Sequence, residues 1–139
     1  MKKFAKAILS LFLFALIFLL LHADDQKRQL QQILMIPESA DVEILCGGIN
    51  HGSKCALTDA DRRDILKELS NIEYTPFKRS RVPYDLKKEY FYITVGSPDS
   101  GYYRRFDIFA NAGYGTVSSI TFSVGDKFLT ILRSLPFQT

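Results

Sequence analysis

The feature that most restricts what this chain can fold into lies at its start. Lys2, Lys3 and Lys6 precede an apolar run from Ala7 to Leu21 that only Ser10 interrupts, and His22, Ala23 and the acidic pair Asp24-Asp25 follow. A continuous Leu/Phe/Ile run has no polar face, so it cannot serve as the surface helix of a water-soluble domain. Positive charge, an apolar core and a small residue before a polar start is the layout of a secretory signal. The lysines stay on the cytoplasmic side while the apolar run inserts.

Two fates follow. Cleavage after Ala23 releases a mature chain that begins at Asp24; this is the favoured expectation. Retention leaves residues 7–23 as an anchor in the cytoplasmic membrane. Leu21 is larger than the small residue preferred two positions before a cleavage site. The run, about 15 residues, is at the upper limit for a signal core and short of the roughly 18–20 residues of a comfortable span. No cysteine lies near its end, so a lipoprotein-type anchor is not expected. The expected organisation is therefore residues 1–23 as signal peptide or uncleaved anchor and 24–139 as a single exported domain, periplasmic or extracellular.

Charge has to be read with that segment set aside. The chain carries +3 overall, with 18 basic and 15 acidic residues. The three lysines before Ala7 account for the excess, and no acidic residue precedes Asp24. What remains is neutral. Nucleic-acid binders draw most of their affinity from neutralising phosphates, so this class is excluded as a partner. Membrane contact is expected only through the N-terminal segment.

Cys46 and Cys55 are the only cysteines. An even count in an exported chain predicts a disulfide, which would help a small core. A metal site is not expected, because His51 is the only histidine after the N-terminal segment and a closed site needs about four ligands. No cofactor motif is present.

Periodicity predicts the elements. A short helix is expected over Asp24–Ile36, ended by Pro37. Alternation over Asp41–Cys46 predicts a strand, and Lys54–Leu57 a returning one, with a glycine-rich loop at Gly47–Ser53 between them. Thr58, with Asp59 and Asp61 behind it, opens a helix whose apolar stripe is Ile65, Leu66, Leu69 and Ile72. Tyr74–Tyr84 reads as an edge strand or ordered loop carrying the basic run Lys78, Arg79 and Arg81. Three strands follow, at Glu89–Val95, Tyr102–Ala110 and Thr116–Val124, joined by short turns as in an antiparallel meander. Gly125-Asp126 starts a last helix, Lys127–Leu135. The expected fold class is α+β: an antiparallel sheet of about four to six strands with helices packed on one face.

The meander then has two unlike faces. Phe91, Ile93, Val95, Phe106, Ile108, Ile120, Phe122 and Val124 must meet the helices. The opposite face carries Tyr90, Tyr92, Tyr103, Arg105, Asp107, Phe109, Ser119 and Thr121. Tyrosine suits a half-exposed sheet, and Tyr and Arg are also enriched where proteins bind each other. Tyr90, Tyr92, Tyr103, Arg105, Asp107 and Phe109 are the candidate binding residues. No Gly-x-Ser-x-Gly elbow or His-Glu-x-x-His motif occurs, and no carboxylate pair is singled out by spacing, so no catalytic residue is assigned.

The expected function is a non-catalytic exported binding protein of the bacterial envelope, such as an inhibitor or immunity-type protein, whose partner is another protein. Two alternatives carry less support. One is a small hydrolase or transferase built around His51 and the Gly47–Ser53 loop. The other is a membrane-anchored structural component using the Phe77–Val82 basic segment.

Overall fold

The structure is a computed structural model that describes residues 1–47, 53–76 and 89–137. It begins with α1 (Lys2–Ile33), a single helix of 32 residues. The sequence suggests an apolar run and a helix from Asp24 that continues it where the run is retained. They fuse because nothing between Leu21 and Leu30 breaks a helix. The junction is also laced by i,i+4 pairs: Arg28 to Asp24 at 2.9 Å and Gln29 to Asp25 at 3.0 Å. The helix stops at Leu34, before Pro37 can interfere.

Seven strands form one antiparallel sheet: β1 (Val42–Gly47), β2 (Ser53–Lys54), β3 (Glu73–Tyr74), β4 (Tyr90–Gly96), β5 (Tyr103–Phe109), β6 (Tyr114–Val117) and β7 (Ile120–Ser123). Their order is β2-β1-β4-β5-β6-β7-β3. The consecutive run β4 to β7 is the expected meander, with β1 added on one side and β3 on the other. The α+β class is as the sequence predicts. The strand count exceeds the expected four to six because the segment that reads as one strand, Thr116–Val124, folds back on itself. Ser118 and Ser119, at φ 48° and 64°, make the two-residue turn whose twist suits a hairpin. A Ser-Ser pair carries no glycine or asparagine to announce such a turn.

Two further helices complete the chain. α2 (Asp59–Ser70) is opened by a reciprocal cap: Asp61 N–H donates to Thr58 Oγ1 at 3.2 Å and Thr58 N–H donates to Asp61 Oδ2 at 3.1 Å. α3 (Asp126–Ser134) starts after Gly125. Both helices, with the end of α1, lie on the apolar face of the sheet. One continuous core joins Leu30 and Ile33 of α1, Ile65, Leu66 and Leu69 of α2, and Phe128, Leu129 and Leu132 of α3 to Ile44, Phe91, Ile93, Phe106, Ile108 and Phe122. Across the strands, Ile93 pairs with Phe106 and Phe91 with Ile108. Gly115 faces Phe122, and a Cβ at Gly115 would come within 2.6 Å of that ring. The glycine is what lets Phe122 lie flat across β6.

The expected disulfide is not formed; Cys46 and Cys55 are both free thiols. The hairpin does bring them to the same side of the sheet, but in the wrong register. Cys46 faces Ser53, while the Cys55 N–H donates to the Ile44 carbonyl at 3.4 Å. They are therefore diagonal neighbours. Such positions stand about 7–8 Å apart, and a bridge wants Cα atoms within roughly 4.4–6.8 Å.

Candidate functional site

The alternation of β4 and β5 decides which side chains share the helix-free face. On β4 the even-numbered residues Tyr90, Tyr92 and Thr94 are half-buried, while Phe91, Ile93 and Val95 are buried. On β5 the odd-numbered residues Tyr103, Arg105, Asp107 and Phe109 point the same way as the β4 tyrosines. Pairing aligns Tyr90 with Phe109, Tyr92 with Asp107 and Thr94 with Arg105. All six sequence-predicted binding residues therefore lie on one surface, on two adjacent strands.

Within this surface the charged and aromatic groups hold one another. The Arg105 guanidinium carbon sits 4.1 Å from the centre of the Tyr92 ring, a cation–π arrangement. Its Nε donates to Asp107 Oδ1 at 2.7 Å. Tyr90 and Tyr92 pack ring against ring with centroids 4.8 Å apart. The Tyr90 ring lies directly over Gly47 of β1, where any Cβ would overlap it. On the other flank Phe109 meets Tyr114, centroids 5.5 Å apart. Tyr90, Tyr92, Arg105 and Tyr114 are all engaged side chains. Tyr103 is 51% exposed, the one large apolar side chain past Met35 that stands so open among the described residues.

Sequence patterning misses the β6 contribution. It puts Tyr114 in a turn and Thr116 at a strand start, yet Thr116 lies opposite both Asp107 and Thr121. Thr116, Ser118 and Ser119 line a shallow cleft of about 520 Å³ with Arg105 and Asp107. The alternation Tyr114–Thr116 carries the signal, masked by the glycines on either side. Ser119, expected on the face, forms the turn; Thr121 is on the face and buried at 8% exposure.

The two thiols are held in their protonated form. Burial pushes the Cys46 thiol up, with the Glu89 carboxylate adding to it. Burial also raises Cys55, helped by Asp61. A thiol held protonated is a poor nucleophile. No group of three or more His, Cys, Asp or Glu among the described residues could hold a metal. His51 and residues 77–82, on which the two alternative functions rest, lie outside the described residues.

No family model, no curated protein and no solved structure matches the chain.

Proposed function

We propose that this chain is a non-catalytic binding protein of the bacterial envelope that takes another protein on the Tyr90–Phe109 face and stays tethered to the cytoplasmic membrane by its first helix. The observation that carries the binding reading is the Tyr90–Tyr92–Arg105–Asp107 cluster on the helix-free side of the sheet. Rings and guanidinium are already stacked and ion-paired, so little side-chain freedom is lost when a partner covers them. Tyr and Arg in this pre-set form are the residues that dominate protein interfaces. An enzyme to be inhibited or a toxin to be neutralised is the kind of partner such a face suits.

Support for the tether comes from α1. Its apolar part is 0% buried, with a mean hydropathy of 2.6 over its most apolar stretch. The same helix, without a joint, continues into the core through Leu30 and Ile33. Side chains of α1 that meet the domain include Gln26, Leu30 and Ile33, spaced four and three apart.

Photo-crosslinking in intact cells tests the binding face. A crosslinker at Tyr103 should trap a discrete partner, one at Lys127 on α3 should not, and the Tyr92→Ala/Arg105→Ala pair should abolish the Tyr103 product. Equal products from both sites would count against the face.

A further inference from the structure

The geometry points to a second interaction surface: the β3 side of the domain rests on the lipid headgroups of the membrane that holds α1. This placement rests on the tethered reading proposed above and adds an orientation to it.

Height along the helix sets the level of each contact. The apolar run of α1 ends at Leu21, and Gln26 lies five residues on, about 7–8 Å further at 1.5 Å per residue. The Tyr74 hydroxyl donates to Gln26 Oε1 at 2.9 Å, which brings β3 to that height. A headgroup layer is roughly 5–7 Å thick on each side of the hydrocarbon. The Tyr74 hydroxyl therefore sits at the outer boundary of the headgroups, at the edge of the layer in which tyrosine is enriched in membrane proteins. The span is also short. Its apolar run, broken only by Ser10, covers about 22 Å against a core of about 30 Å, and that mismatch draws flanking residues inward.

The far end of the same helix provides the contrast. Ile33 is twelve residues past Leu21, about 18 Å. There the Tyr102 hydroxyl donates to the Ile33 carbonyl and fixes β5 well clear of the lipid. Two tyrosines, Tyr74 low and Tyr102 high, thus clamp α1 to the sheet at two levels. With no joint in the helix, the domain cannot swing away from the surface. Overall charge plays no part, since the domain is neutral; the recognition is of the headgroup layer as a boundary.

The chain has no tryptophan, so one introduced tryptophan reports depth without background. Full-length Glu73→Trp and Met35→Trp proteins are reconstituted in vesicles whose acyl chains carry bromine near the headgroup. Glu73 is on β3, and Met35 follows the end of α1 with 78% of its surface exposed. Glu73→Trp should be quenched several-fold more strongly than Met35→Trp, with emission shifted to the blue. Equal, weak quenching of both in protein that still resists alkaline extraction would overturn the docking and leave the tether standing. Recovery of a soluble chain starting at Asp24 from cells would instead overturn the tether itself.

Discussion

Phe106 and Phe109 leave the same strand, three residues apart, and end in different worlds. Phe106 is wholly buried, edge-on to Phe122 at 6.1 Å and surrounded by the core that the helices close. Phe109 is half-buried on the other side, tilted against Tyr114. The first face is held by burial from three helices, the second by contacts among its own side chains. Stability is thus concentrated on one side of the sheet and the proposed recognition on the other, so each should be alterable with little effect on its counterpart.

The sharpest way to break this division is to truncate both rings. Phe106→Ala should cost about 3–5 kcal/mol of unfolding free energy in denaturant titration, the usual toll of a cavity in a closed core. Phe109→Ala should cost about 1 kcal/mol, since water already reaches the site and no closed cavity forms. Similar losses from the two would mean that the second face is as structural as the first.

A smaller effect tests the tie between α1 and the sheet. Burial raises the Tyr102 phenol to about 12 from its ordinary 10, with Arg104 pulling the other way. The folded state keeps that proton more tightly than the unfolded chain does. The resulting stability is complete below pH 10 and drains away as the pH climbs to about 12. Tyr102→Phe should lose about 1 kcal/mol at neutral pH with the hydrogen bond to Ile33, and should show a flatter alkaline limb than the wild type. An unchanged alkaline limb would assign the pH dependence elsewhere.

The smallest effect belongs to the Ser118-Ser119 turn. Ser119→Gly should raise stability by a few tenths to about 1 kcal/mol, because left-handed backbone disfavours a Cβ. A loss in thermal melts would mean that the serine hydroxyl contributes more than its backbone strain costs.

Where the sequence is legible, a strong period makes it so. Strict alternation over Tyr90–Val95 and Arg105–Phe109 separates the two faces from residue order alone. Thr58 with Asp61 announces α2 through the chemistry of its cap. Legibility fails where local signals are weak or where register matters. Ser-Ser hides a turn inside what reads as one strand. β2 and β3, at two residues each, are too short to display a period at all. The hairpin pattern does put the cysteines on neighbouring strands, but a bridge depends on which pair lies directly opposite. That depends on loop geometry and not on composition. Of the candidate site, the six residues on β4 and β5 are readable, while Thr116 needs the fold to bring it beside Asp107.

The brevity of β2 and β3 has a consequence for how anything can attach to this protein. Among the described residues they are the first and last strands of the sheet, and each presents only a residue or two of backbone at the margin. A partner chain has too little ladder to continue at β2 or β3, so among the described residues strand addition, a common way for one protein to capture another, finds little template at these two margins. The same shortness guards against uncontrolled growth of the sheet from copy to copy. Recognition on the proposed face would then rest on side chains, residues that can be exchanged one at a time without disturbing the hydrogen-bonded frame beneath them.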